Sequence, residues 1–94
     1  MNSAIPPLTT VEAMQTWLRE RVAGYVDTPF EEIRTDIRLV DYGMDSLAAL
    51  TFSGEIEDEY GVELPATMAW DHPTIAAIAM LLRERLDQEA ARAS

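Results

Sequence analysis

The sequence predicts an all-α fold: a bundle of three main helices, one short helix before the last of them, and a long loop between the first helix and the second. Three observations predict it. Apolar residues recur at intervals of three and four in three separate segments. Capping residues and helix breakers fall where those segments should end. No stretch makes a convincing strand, since Val62-Glu63-Leu64 is too short. The 94 residues form one small domain, which buries roughly two-thirds of its unfolded surface. Such a core supports a simple fold and leaves little room for an enclosed active site.

Residues 1–8, with two prolines, read as an N-terminal tail, 9–89 as the domain and 90–94 as a C-terminal tail that frays. Thr9 and Glu12 have capping-box spacing, so the first helix should run over about 10–24. Val11, Met14, Leu18 and Val22 form its apolar stripe, with Trp17 and Tyr25 on or beside it, and Asp27-Thr28-Pro29 follow as a stop. Residues 27–45 have no periodicity and read as a loop pegged by Phe30, Ile33, Ile37, Leu39 and Val40, with one turn of helix at 30–34. A second helix opens at Ser46, buries Ala49, Phe52, Ile56 and Tyr60 on one face, and ends at Gly61. Gly54 in its middle costs about 0.5–1 kcal/mol relative to Ala; close approach of another backbone would explain it, and a tolerated defect would do so equally. Pro65 starts the short helix at 66–70, anchored by Met68 and Trp70. His72-Pro73 stops it, and Thr74 caps a last helix striped by Ile75, Ile78, Leu82 and Leu86.

The net charge of −10 argues against nucleic acid and anionic membranes as partners. It favours proteins with basic docking surfaces. There is no cysteine, hence no disulfide and no thiol nucleophile. The first seven residues lack the leader and apolar run of a signal peptide, and no apolar stretch approaches the roughly 20 residues of a membrane span. The expectation is a cytoplasmic monomer.

The segment Gly43-Met44-Asp45-Ser46-Leu47 carries the chemistry. It sets a serine at a helix start, with an acid before it, an apolar residue after it and no base beside it to make a nucleophile. Such a hydroxyl suits modification by another enzyme. Its plainer reading is a helix N-cap, worth roughly 0.5–2 kcal/mol. From Asp41 to Glu63 the chain carries seven acids and no Lys or Arg. Glu57, Asp58 and Glu59 lie near a helix C-terminus, where the macrodipole disfavours anions. Partner recognition or solubility would account for them.

This motif resembles the phosphopantetheine attachment motif (Gly-x-Asp-Ser-Leu) of acyl carrier proteins. The likeness extends from Thr9 to Leu86, including the approach Ile33–Gly43, the end of the second helix Ile56–Pro65 and the junction Ala69–Ile75. It implies a four-helix acyl-carrier-like bundle of polyketide type, free-standing or excised from a longer chain. A phosphopantetheinyl transferase, using coenzyme A and magnesium, would attach 4'-phosphopantetheine to Ser46, and the thiol of that arm would hold an acyl group as a thioester. By the same resemblance Asp45 engages the transferase. Met44 and Leu47 contact partners, and Leu50, Thr51, Gly54, Glu57 and Asp58 form the docking side of the second helix. The implied partners are the transferase, an acyl-adenylating ligase or acyltransferase, and a ketosynthase or other tailoring enzymes. Thr51 and Gly54 depart from the usual residues. Ser53–Glu57 with Trp70–Thr74 looks more like carriers fed by adenylating ligases. The acyl group is expected to shelter among Phe52, Ile56, Met68 and Ile75.

A hydrolase built on Ser46 and His72 lacks the glycines of a nucleophile elbow. The acids form no calcium loop. No catalytic residue and no metal ligand is therefore assigned. Two alternatives stay open: a peptidyl or aryl carrier, and an acidic interaction module without covalent cargo.

Overall fold

The computed structural model describes residues 10–93, so Thr9 and the tail at 1–8 lie outside the described residues. The elements are α1 (Val11–Tyr25), α2 (Ser46–Tyr60), α3 (Met68–Asp71) and α4 (Ile75–Ala93), with 3-10 turns at Phe30–Glu32 and Leu39–Tyr42. No strand forms among the described residues; a single antiparallel bridge pairs Arg38 with Thr74. None of the helices is long and apolar enough to cross a membrane.

The cap of α1 is Thr10, whose Oγ1 accepts from the Ala13 N–H at 3.0 Å. The stripe of α1 buries Met14, Leu18 and Val22, and its main partner is α4. There Ile75, Ile78, Ala79 and Leu82 are fully buried. Thr74 caps α4 as its sequence position predicts, accepting from the Ala77 N–H at 3.1 Å. The helix continues to Ala93, through most of the segment read as a C-terminal tail.

The loop between α1 and α2 is fixed at many points, because buried backbone groups must find partners. Arg19 Nε donates to the Ile33 carbonyl at 2.7 Å and Nη2 to the Phe30 carbonyl at 3.0 Å. The Leu39 N–H donates to Pro73 and the Ala76 N–H to Thr35, both at 2.9 Å, joining the loop to the start of α4. Ile33 and Leu39 are buried pegs, whereas Val40 is 54% exposed. The turn expected at 30–34 is present at Phe30–Glu32, but the turn at Leu39–Tyr42 has no periodic signal, since only Leu39 within it is buried.

Two expectations about packing are corrected. Gly54 admits no close backbone, for a Cβ added there meets nothing within 4 Å. Trp70 is no anchor: α3 begins only at Met68, after a turn closed by the Met68 N–H on Pro65, and Met68 alone is buried while Trp70 is 72% exposed.

Two tyrosines give the bundle an alkaline limit. Burial, the hydrogen bond donated to Glu55 and the charge of Glu55 push Tyr25 up to about 12. Burial and the charge of Glu59 push Tyr60 up to about 12 as well. The unfolded chain releases these protons near pH 10, so the stability they contribute is whole below that pH. It is lost progressively as pH rises from about 10 to about 12. Urea midpoints should fall across this window and fall less in Tyr60→Phe. At pH 7 that variant should be nearly neutral, because the Tyr60 hydroxyl is buried without a hydrogen-bond partner among the described residues.

Candidate functional site

Gly43 turns the chain into α2 from the left-handed region, at φ 96°, a conformation that favours glycine. Asp45 then caps the helix: its Oδ1 accepts from the Ala48 N–H at 2.8 Å, and its carbonyl accepts from Ala49 at 2.9 Å. The cap is thus Asp45 and not Ser46, which corrects the plainer reading of the serine. Ser46 is the first helical residue and exposed. Its hydroxyl is left for other chemistry. The N–H groups of Ser46 and Leu47 have no acceptor within the helix, which leaves partial positive charge beside that hydroxyl.

Beside Ser46 lies a cleft of about 410 Å³ between the Leu39–Tyr42 turn, α2 and α3. Its walls are Val40, Met44, Leu50, Ala66, Ala69 and Trp70; Asp45, Ser46, Ala49 and Ser53 complete it along α2. This is not where sequence reasoning placed the shelter for an acyl group. Phe52, Ile56, Met68 and Ile75 are all fully buried in the core. The cleft is formed instead by small residues on the neighbouring stripe of α2 and by the exposed ring of Trp70. Sequence reasoning missed Ser53, Ala66 and Ala69. The available signal was Ala49 and Ser53, one turn apart and too small to fill the space between two helices.

The residues assigned to docking do not share one environment. Leu47 (74% exposed) and Leu50 (59%) project from α2, and Thr51 and Asp58 are exposed near them, with Gly54 half-buried. Met44 is only 5% exposed and lies between the core and the cleft wall. Glu57 is half-buried and accepts from the Leu64 N–H at 2.7 Å, fastening the chain that follows α2.

The acidic run therefore divides. Glu55 is bound to Tyr25, Glu57 to the backbone, and Asp41 to Arg38 at 3.3 Å. Asp45, Asp58 and Glu59 are the exposed acids left along α2 and its cap. Part of the misfit with the macrodipole thus has a structural cause in Glu57.

Asp45 has a role in the fold that its charge does not need, and two substitutions separate the roles. Asp45→Asn keeps a capping oxygen and should cost a few tenths of a kcal/mol, whereas Asp45→Ala should cost about 1 kcal/mol in urea unfolding. If the charge engages the transferase, both variants should be modified more slowly, by similar factors, in a mass-spectrometric time course. Slowing in Asp45→Ala alone would reduce the role to capping.

A model of the family described as "Phosphopantetheine attachment site" matches residues 16–82 of the chain. A phenolphthiocerol/phthiocerol polyketide synthase subunit of Mycobacterium tuberculosis is 34% identical over 86 residues, which is 90% of this chain and 5% of that one. The polyketide synthase PksL of Bacillus subtilis is 30% identical over 76 residues, 81% of this chain and 2% of the other. The chain thus spans a small fraction of the length of the curated relatives it matches. Among solved structures, a free-standing peptidyl carrier protein from an uncharacterized Acinetobacter baumannii secondary metabolic pathway superposes with a TM-score of 0.78 at 36% identity, covering 83% of this chain and 98% of that one. The acyl carrier protein LipD of Actinoplanes friuliensis gives 0.69 at 37%, covering 88% and 92%. With the helical order, the exposed serine and this match in agreement, the chain belongs to the phosphopantetheine attachment family, as an acyl carrier domain that bears a substrate and does not itself catalyse.

Proposed function

We propose that Ser46 is the attachment point and that the domain carries an acyl intermediate of polyketide or related secondary-metabolite biosynthesis. One observation carries the reading: Ser46 stands exposed at the first position of α2, where Asp45 provides the cap, and it lines a largely apolar cleft. The Ser46 oxygen would attack the phosphorus of coenzyme A nearest the pantetheine. A phosphodiester forms, the pyrophosphate bond breaks, adenosine 3',5'-bisphosphate leaves, and the serine proton passes to a base of the transferase. The attached arm supplies the thiol that the chain lacks, and with it a thioester. The chain's own residues do the rest. The start of α2 favours the phosphodiester charge, Leu47 and Leu50 offer an apolar contact, and Asp58 and Glu59 steer basic partners.

Those partners are a phosphopantetheinyl transferase, an acyl-adenylating ligase or acyltransferase, and a ketosynthase or tailoring enzyme. Incubation with coenzyme A, magnesium and a broad-specificity transferase should add one phosphopantetheine to the intact mass. An unchanged mass, with the protein folded and the transferase proven on a control, favours an acidic interaction module instead. Loading should also slow as salt rises, since steering by exposed charge is screened beyond roughly 10 Å at 0.1 M. A rate indifferent to ionic strength would remove the docking role of Asp58 and Glu59.

A peptidyl cargo is the second reading, favoured by the likeness to the Acinetobacter baumannii peptidyl carrier. Competitive loading by ligases specific for acyl, aryl and aminoacyl acids separates the two.

A further inference from the structure

We propose that Tyr42 is a positioning residue for the modification of Ser46: its hydroxyl holds the turn before α2 so that the serine oxygen is presented in line for transfer. The proposal rests on Ser46 being the attachment point. The Tyr42 hydroxyl accepts from the Arg34 N–H at 2.7 Å and donates to the Glu32 carbonyl at 3.4 Å. It thereby ties the last residue of the Leu39–Tyr42 turn to the first half of the loop. Arg19 fastens that half in turn to α1, through the carbonyls of Phe30 and Ile33. Ser46 follows Tyr42 by four residues.

The stretch from Leu39 to Ser46 acts as one block, because its backbone groups close on one another. The Gly43 N–H donates to the Val40 carbonyl at 3.0 Å and the Met44 N–H to that of Leu39 at 3.3 Å, and Asp45 caps the helix that follows. Leu39 and Met44 peg the block into the core. From outside it is held at two ends. At the first, the Leu39 N–H donates to the Pro73 carbonyl at 2.9 Å, and Arg38 pairs with Thr74. At the second stands Tyr42. Removing its hydroxyl frees the end nearer the serine and leaves the other fixed, so the block pivots and carries Ser46 with it. Misplacing a reacting atom by about 1 Å costs on the order of 100-fold in rate. Docking should be spared, since Leu47 and Leu50 still project from α2. The fold should be spared as well, because the contact lies at an exposed position where water replaces the lost partner.

Tyr42→Phe removes the hydroxyl and keeps the ring. Single-turnover transfer from coenzyme A, with magnesium and a broad-specificity phosphopantetheinyl transferase in excess, is followed by intact mass. It yields the rate at saturation and the transferase concentration that gives half of it. The saturated rate should fall about 3- to 10-fold, while the half-saturating concentration changes by less than about twofold. Without transferase, hydrogen exchange should quicken at the Gly43, Met44 and Ala48 amides and stay unchanged at Leu82 in α4. Leu86→Ala controls for stability, because it trims a partly buried side chain in the second half of α4. It should lower the melting temperature more than Tyr42→Phe does, yet leave the saturated rate as it was. An unaltered protein that takes no phosphopantetheine would overturn the attachment reading and this proposal with it. Where the unaltered protein is modified, three results overturn the proposal alone. They are a saturated rate in Tyr42→Phe within about twofold of the unaltered protein, a slowing that Leu86→Ala shares, or a slowing confined to the half-saturating concentration.

Discussion

Replacing Ser46 with alanine is expected to abolish phosphopantetheine addition entirely while leaving the domain folded. Loss of the oxygen removes the atom that would bond to phosphorus, so no residual rate should survive. An intact-mass time course should stay at the unmodified value however much transferase is added. The cost in stability should be small. A capping serine changed to alanine loses about 1 kcal/mol, but the capping oxygen here is Asp45 Oδ1 on the Ala48 N–H. Ser46 is exposed at the first helical position, where substitution typically shifts stability by no more than about 0.5 kcal/mol. Urea unfolding of the variant should therefore overlay that of the parent. A mass increase in Ser46→Ala would move the attachment to another hydroxyl. A large loss of stability would mean that the serine serves the helix after all.

The difference between Asp45 and Ser46 shows what the sequence makes legible and what it does not. The helical order, the ends of α2, the Thr74 cap and the buried stripes of α1 and α4 all follow from local rules. Spacing, capping chemistry and a left-handed glycine at Gly61 (φ 67°) act within a turn or two of chain. Which of two adjacent capping residues closes a helix depends on backbone angles: Asp45 takes the extended conformation of a cap, with φ −90° and ψ 179°. The pattern of letters does not carry that. The cleft is invisible for a related reason. It arises where the Leu39–Tyr42 turn, α2 and α3 fail to close on one another, and no single segment encodes a gap. The burial of Met44, the backbone contact of Glu57 and the exposure of Trp70 are hidden for the same reason. An apolar residue before a helix, an acid near its end and a tryptophan beside a buried methionine each have two destinations, and tertiary contacts decide between them.

The largest loss of stability is expected from Phe52→Ala, and the variant also tests the division of α2 into a core face and a cleft face. Phe52 is fully buried and meets Tyr25 edge-on, with ring centroids 5.8 Å apart. Truncating a buried phenylalanine costs about 3–5 kcal/mol, part from lost transfer energy and part from the cavity left behind. A domain of this size has about 5–15 kcal/mol in total. At about 4–8 °C per kcal/mol, the melting temperature followed by circular dichroism should fall on the order of 15–30 °C. Below that transition Phe52→Ala should still accept phosphopantetheine, because Ser46, Leu47 and Leu50 lie on exposed surface that the truncation leaves in place. A fall of only a few degrees in Phe52→Ala would show that α2 does not hang on this side chain. Loss of modification while the fold persists would show that the packing beneath α2 and the chemistry at its first residue are not independent.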